Sequence, residues 1–332
     1  MNARALALVL RFGRNSTSFQ ALSPGMRHWF DDERGMVAYA DTGGAWVSAG
    51  EPVASSEHAI ATAATFVDAA RAAGRRASFF ATEGILAASP RFRRMQIGEQ
   101  PAWDPRQWSN HLRTHRSLRE QLRRARAKHV AIRAVDAQTF VQEPTLHADI
   151  VHVIQRWLAT RPMPPMHFLV EVAPFSHLEY RRVFVAERDG RAVGLLSLIP
   201  VSARHGWLFE HLLRLPEAPN GTAELLVDHA MRVLASEHVS WATLGMAPLA
   251  GNVSTPLRVI RGLSRPLFNF DGLAAFKRKL RPQHWEPIYL AFPAEGSALI
   301  ALLDGLRAFA GCSLWRFGAR TALRTLRRLH QT

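Results

Sequence analysis

The 332-residue chain is poor in cysteine, lysine and acidic residues, and it has no long apolar run. A single thiol, Cys312, excludes an intrachain disulfide and a zinc site built from cysteines, and a reducing cytoplasm is the compartment expected. The apolar stretch within residues 1–14 is about six residues long and interrupted by Arg11. That is short for a signal-peptide core, and far short of the ~20 residues that span a bilayer. Acidic residues number 27 against 42 basic ones, a net charge of +15. Such an imbalance points to polyanionic partners, an RNA or an anionic membrane surface, or to a generally basic solvated surface. Of the basic residues 39 are Arg and only Lys128, Lys277 and Lys279 are Lys, a pattern that a GC-rich genome also produces.

What is present is a chain able to fold: 48% of residues are hydrophobic and 21% are charged, interspersed rather than segregated. The clearest local signal lies at 183–200, where two apolar runs flank Asp189-Gly190. Asp-Gly between strand-like runs predicts a hairpin, because both central positions of a type I′ turn need positive φ. His205-Gly206 then turns the chain into a third strand over 207–213, followed by a loop at 216–221, a helix over 222–236 and a strand over 241–245. Residues 36–81 repeat the plan: strand 36–40, turn 41–44, strand 45–49, helix 56–73, strand 77–81. Antiparallel strands, then a helix, then another strand is the central layout of the GNAT acyltransferase fold. The expected class is therefore α/β (α+β): two tandem GNAT-like domains, each a mixed, mainly antiparallel sheet flanked by helices. The expected divisions are 1–115, a basic linking helix at 116–130, a catalytic domain at 131–295, and a basic amphipathic tail at 296–332.

The linking helix sets Leu118, Leu122 and Ala125 in a narrow apolar stripe, with Arg119, Arg123, Arg124, Arg126 and Lys128 over most of the remainder. Its cationic face is either a solvated surface or a contact for successive phosphates of a nucleic-acid backbone. The loop at 216–221 bears on the cofactor. GNAT enzymes that use acetyl-CoA wrap its pyrophosphate with the amides of a glycine-rich turn at a helix N-terminus. Here the loop keeps one glycine, Gly221, and has two prolines, Pro216 and Pro219, which lack the N–H donor. Conventional acyl-CoA binding is disfavoured.

A set of motifs then falls in a recognisable order: Gly13-Arg14-Asn15-Ser16-Thr17-Ser18-Phe19, Gly50-Glu51-Pro52, Leu118-Arg119-Glu120-Gln121-Leu122-Arg123-Arg124-Ala125, the loop at 216–221, Leu244-Gly245-Met246-Ala247-Pro248-Leu249, Phe268-Asn269-Phe270-Asp271-Gly272-Leu273 with Phe276-Lys277-Arg278-Lys279, and Trp285-Glu286-Pro287. Across roughly residues 12–293 the chain resembles the soluble catalytic domain (DUF2156) of the phosphatidylglycerol lysyltransferases and alanyltransferases. The resemblance rests on the collinearity of these segments.

The resemblance implies transfer of an aminoacyl group from aminoacyl-tRNA to a hydroxyl on a lipid, most simply phosphatidylglycerol. The donor ester is already activated, so aminoacyl-tRNA is the co-substrate and no cofactor or metal is called for. The step needs a group to take the hydroxyl proton and cations to hold two phosphate-bearing substrates. Glu210, His211 and Arg214 stand where the family has an acidic residue followed by Arg; either Glu210 keeps the acid or His211 has replaced it. Lys277 and Lys279 match the family's basic segment and are assigned to phosphate of the lipid or the tRNA end. Asn220, Gly221, Asn269 and Arg161 complete the substrate contacts; the segment 157–168, with its run at 162–166, either walls the acceptor pocket or, as its apolar members favour, serves packing. Arg119, Arg123, Arg124, Arg126 and Lys128 are assigned to tRNA.

The family's large membrane domain is not in this sequence, so the expectation is confined to the transfer step. The tail at 314–330 spaces Arg316, Arg320, Arg324 and Arg328 by four residues, opposite Trp315, Leu323, Leu326 and Leu329. Such a helix lies in an anionic membrane interface or packs on its own domain. The expected location is cytoplasmic, with peripheral attachment to the inner face of the membrane as the further possibility. Aminoacylation of a soluble small molecule, N-acyl transfer from acyl-CoA, and a non-catalytic RNA- or membrane-binding GNAT pair stand as alternatives.

Overall fold

The computed structural model describes residues 2–161, 168–263 and 269–311. The first half runs through helix α1 (Ala3–Phe12), strands β1 (Arg27–Asp31), β2 (Gly35–Asp41), β3 (Ala45–Ala49) and β4 (Val53–Ala54), helix α2 (Ala59–Ala72), β5 (Arg76–Thr82) and β6 (Phe92–Trp103). Helices α3 (Trp108–Thr114) and α4 (Arg116–Arg126) lead to β7 (Ala131–Val135), α5 (Ala137–Gln142) and α6 (Pro144–Ala159). The second half continues with β8 (Arg182–Arg188), β9 (Arg191–Val201), β10 (Gly206–Arg214), α7 (Thr222–Ser236), β11 (Trp241–Thr243), β12 (Ala247–Pro248), α8 (Thr255–Leu263), α9 (Phe270–Lys279), β13 (His284–Pro293) and α10 (Ala298–Phe309).

The thirteen strands of the described residues join one mixed sheet in the order β1-β2-β3-β5-β13-β6-β11-β10-β9-β8-β7, with β4 on β2 and β12 on β6. Two of its pairings are parallel, β3 with β5 and β10 with β11, and each is bridged by a helix, α2 and α7. A parallel pair needs such a crossover, because a tight turn only reverses the chain. The same strand–helix–strand unit therefore occurs once in each half. The β8–β9 hairpin turns at Asp189 (φ 53°) and Gly190 (φ 73°), both positive as a type I′ turn requires.

The element that local pattern did not anticipate is β13. It inserts between β5 and β6, antiparallel to both, so the last strand of the described residues completes the sheet of the first half. Strand β6 is central to the join, pairing with β13, β11 and β12.

Packing on the second half's sheet explains the linking helix. Leu118, Leu122 and Ala125 of α4 are buried against Leu225, Leu226 and Leu234 of α7, in one cluster with Trp103 and Trp108. Gly221, just before α7, lies close against α4. A Cβ there would lie 2.9 Å from Ala125 Cβ and 3.0 Å from the Gln121 carbonyl, and φ is 97°. Glycine satisfies both demands at once.

No helix among the described residues is long and apolar enough to cross a membrane. The basic tail at 314–330 lies outside the described residues, as do Cys312, Phe268 and the run at 162–166.

Candidate functional site

Where β10 ends and α7 begins, a cavity of about 500 Å³ opens between α4, α7 and α9. Arg124, Lys128, Arg214, Asn220, Gly221 and Lys279, six residues singled out in the sequence, all line it. The 15-residue helix α7 has no side-chain cap at its start, so its first N–H groups add a positive end to a cationic wall. Lys279 Nζ lies 2.5 Å from the buried Glu224 carboxylate in the first turn of α7. The Arg214 guanidinium donates to the carbonyls of Leu215 (3.2 Å), Pro216 (3.4 Å) and Ala218 (3.4 Å), and so shapes the proline-containing loop. Arg124 and Lys128 have no carboxylate in ion-pair range among the described residues, which makes them the cations most available to an incoming phosphate.

The other cations of α4 are engaged elsewhere. Arg119 donates to the Leu112 carbonyl (2.7 Å) and to that of Arg113, closing the end of α3. Arg123 pairs with Glu120 at 2.9 Å on the exposed side. Arg126 reaches the buried Asp228 at 2.6 Å. Two more expected contacts stand outside the cavity wall. Asn269 caps α9, its Oδ1 accepting from Gly272 N at 2.7 Å, and Arg161 stacks over the Trp157 ring at 3.8 Å.

Farther back on β10 lies a buried carboxylate. The β9–β10 register pairs Phe209 with Leu198 and His211 with Ser197, leaving Glu210 as the extra residue of a β-bulge. A bulge breaks the alternation of side chains along a strand, and Glu210 and His211 are accordingly in contact, with Nε2 3.2 Å from Oε2. The two alternatives for the position, Glu210 and His211, therefore lie side by side. Arg181, itself only 4% exposed, bonds Glu210 Oε2, while Gln20 Nε2 donates to Oε1 at 2.9 Å. Gln20 also donates to the Leu169 carbonyl at 3.0 Å, and Arg181 to Ser197 Oγ at 3.1 Å.

The electrostatics follow from these neighbours. Burial pushes the Glu210 carboxyl up, but the charge of His211 when that ring is protonated and the constant charge of Arg181, with hydrogen bonds from Arg181 and Gln20, hold it below the ordinary value and ionised. Burial pushes the His211 imidazolium down; Glu210 opposes this and Arg181 adds to it, so the ring is neutral at pH 7. Neither Arg181 nor Gln20 was singled out in the sequence. Both come from distant chain positions, and no local pattern marks them.

Three of the collinear motifs meet in a second buried network. Ser16 N donates to Glu83 Oε1 (3.0 Å), and Glu51 N donates to Asn15 Oδ1 (2.9 Å). Glu51 Oε1 in turn accepts from Gly84 N and Ile85 N, each at 2.7 Å. Arg204 pairs with both Glu83 and Glu286, and Glu286 also accepts from Gln100 (2.8 Å) and Trp241 Nε1 (3.2 Å). Gly50 is held at φ 84°, where a Cβ would lie 2.4 Å from Thr17 Oγ1. The segments 13–19, 50–52 and 285–287 thus clasp the seam beside β13.

Lys277 departs from its expected place. It is 4% exposed, and its ammonium donates to the carbonyls of Leu244 (2.9 Å), Gly245 (2.7 Å) and Met246 (2.8 Å) rather than reaching the cavity. Burial pushes its pKa down to about 7, while three acceptors for three donors favour the charged form. All three donors are committed, so a phosphate contact would require breaking this clasp. Replacing it (Lys277→Met) strands three carbonyls and is expected to cost about 2–4 kcal/mol. Urea unfolding showing a midpoint unchanged from the parent would count against that role.

Among the described residues no group of three or more His, Cys, Asp or Glu is placed to hold a metal ion.

Residues 6–292 match the family described as phosphatidylglycerol lysyltransferase, C-terminal. The chain is 25% identical over 197 residues to the phosphatidylglycerol lysyltransferase of Bacillus subtilis, a match covering 53% of this chain and 22% of that protein. It is 22% identical over 323 residues to an uncharacterised protein of Corynebacterium glutamicum, covering 89% of this chain and 40% of the relative. The matches thus span less than half the length of these curated relatives. Among solved structures, the C-terminal DUF2156 domain of a protein assigned as a lysylphosphatidylglycerol synthetase in Agrobacterium fabrum aligns with a TM-score of 0.79 at 25% identity, covering 94% of this chain and 97% of that one. The L-PGS structure from Bacillus licheniformis aligns at 0.78 with 19% identity, covering 93% and 97%, which speaks to the fold.

Proposed function

Because the chain belongs to the family of phosphatidylglycerol lysyltransferase C-terminal domains, we propose that it is an aminoacyltransferase, moving an aminoacyl group from aminoacyl-tRNA to a hydroxyl of phosphatidylglycerol or another membrane lipid. The observation that carries the reading is the arrangement along β10. The buried Glu210–His211 pair sits on the strand, and the cationic cavity opens at its end, three residues or roughly 10 Å beyond His211.

In the proposed step the lipid hydroxyl attacks the ester carbonyl of the charged tRNA. Neutral His211, beside ionised Glu210, takes the hydroxyl proton and returns it to the departing ribose hydroxyl. One ester bond forms as another breaks, and no net proton is consumed. Arg124 and Lys128 hold phosphates of the tRNA end, with the start of α7 adding its N–H groups.

Charged tRNA carrying a labelled amino acid, incubated with the protein and total lipid extract, should place label in lipid. Label found only in a soluble acceptor, or transfer only from acyl-CoA, would overturn the reading.

Two further outcomes are expected. Neutralising both cavity cations (Arg124→Gln with Lys128→Gln) removes two phosphate contacts, lowering the slope of log K against log salt by roughly 1.4–1.8. Binding titrations at several salt concentrations read this directly, and an unchanged slope removes these residues from the tRNA contact. Transfer should also depend on pH in one direction. His211 must be neutral to accept a proton, and its pKa is held below the ordinary 6.5, so activity is flat near neutrality and falls with acid only below that value. A decline already under way between pH 8 and 7 would place the required base elsewhere.

A further inference from the structure

Helix α10 fully buries only small residues and one carboxylate. Ala301, Asp304, Gly305 and Ala308 face the sheet, and a Cβ on Gly305 would meet the Phe80 ring at 3.0 Å. Leu302 and Phe309 pack on the core beside them, but four large side chains point the other way: Leu299, Ile300, Leu303 and Leu306 are 64%, 44%, 37% and 46% exposed. Their spacing makes one continuous ridge, whereas a helix on a solvated surface ordinarily turns such residues inward. Val170, in the turn Phe168–Val170 that packs against α10 on the same core cluster, is also exposed. Five of the eight exposed large hydrophobic residues among the described ones therefore belong to this region, which marks a surface with a purpose rather than scattered exposure.

Its shape and charge select the partner. The ridge is a convex helix edge rather than a groove, and its crest carries no hydrogen-bonding side chain. At its flank Arg76 and Arg307, each about half exposed, share the buried Asp304 at 2.8 and 3.1 Å, leaving a net positive border on a chain of net charge +15. Apolar side chains bordered by guanidinium groups match the boundary between acyl chains and anionic headgroups. The ridge also adjoins the buried carboxylate. The Leu169 carbonyl, next to Val170, accepts from Gln20, which donates in turn to Glu210.

We propose that α10, with Val170 beside it, is the face by which the protein docks on an anionic bilayer, bringing lipid headgroups to the Glu210 side of the sheet. This rests on the reading of the acceptor as a lipid. The test uses the full chain and vesicles of phosphatidylglycerol and phosphatidylcholine. Leu299→Gln, Ile300→Gln, Leu303→Gln and Leu306→Gln together should weaken co-sedimentation by about tenfold or more, with circular dichroism and unfolding midpoint unchanged. The pair Leu299→Gln with Leu303→Gln serves if the fourfold variant folds poorly. Transfer to a water-soluble glycerophosphoglycerol acceptor should be retained while transfer to vesicles falls.

Undiminished vesicle binding by the variants overturns the docking face. A parent that sediments as a dimer, with variants that are monomers, overturns it in favour of a second copy. Stronger vesicle binding by a chain ending at Gly311 would show that residues 312–332 are the ridge's occupant, and likewise overturns it. Ridge-dependent vesicle binding without transfer to any lipid would support the docking face and sink only the acceptor reading.

Discussion

Glu210→Gln is expected to lower transfer by about 10²–10⁴-fold, the range over which a positioned acid–base group acts. Glutamine keeps the shape and can still accept from Gln20 or Arg181, so the loss would come from the missing charge. That charge has two tasks. It is the counter-ion of Arg181, which is only 4% exposed, and it is the anion beside the His211 ring. Without it the His211 pKa, already depressed by burial, loses the one cause that raises it. The ring then becomes a weaker base and its protonated form is no longer stabilised. Arg181 would keep its hydrogen bonds to Ser176 and Ser197 but be left buried without a counter-ion, so a stability cost of about 3–5 kcal/mol accompanies the loss. Thermal unfolding must therefore be measured beside labelled transfer. His211→Ala separates the effects, because it leaves the Arg181–Glu210 pair intact. Comparable loss of transfer at nearly parental stability is expected; full activity in His211→Ala would make Glu210 alone the proton acceptor.

How much of this was legible in the sequence depends on the range of the interaction. The β8–β9 hairpin was readable because Asp189 and Gly190 satisfy a turn whose geometry is local. Helix α4 was readable because Leu118, Leu122 and Ala125 repeat at helical spacing and are the three residues it buries. The fold class follows from such units in order. Strand β13 was not readable as the partner of β5 and β6, because its pairing joins Leu290 to Phe80 and to Met95 across about two hundred residues. No local pattern encodes a partner that distant.

The site divides in the same way. The cavity gathered six of the residues singled out because they sit on three elements whose helical faces or loop the sequence already outlined. The Glu210–His211 pair required a bulge, and a one-residue slip in register is invisible where both neighbours are polar. Lys277 was misplaced for a different reason. A rare lysine in an arginine-rich chain was read as a phosphate ligand, yet it lies three residues after the buried Ala274 on the same helical face. That spacing was a signal for burial, and the three carbonyls of the 244–246 segment supply what a compact ammonium needs and a planar guanidinium would fit poorly.

The stability of the second half and the aim of its cationic wall converge on Asp228. It is 1% exposed, and its carboxylate accepts from Trp108 Nε1 at 2.9 Å, from Arg126 at 2.6 Å and from Arg232 at 3.1 Å. Those partners lie on α3, α4 and α7, so one side chain ties the basic helix to the helix whose start faces the cavity. Asp228→Ala leaves the buried indole N–H unpaired and two arginines uncompensated. Because both arginines are about half exposed, water recovers part of the loss, and about 2–4 kcal/mol is expected. Asp228→Asn should cost less, since its carbonyl can still accept from Trp108. The functional consequence sets this residue apart from Lys277. Loosening α4 shifts Arg124 and Lys128 on the cavity wall, so tRNA affinity should fall with stability in Asp228→Ala, while Lys277→Met should lose stability with affinity retained. Binding measured below each variant's unfolding transition decides it: parental tRNA affinity in Asp228→Ala would mean that α4 holds its position without this anchor.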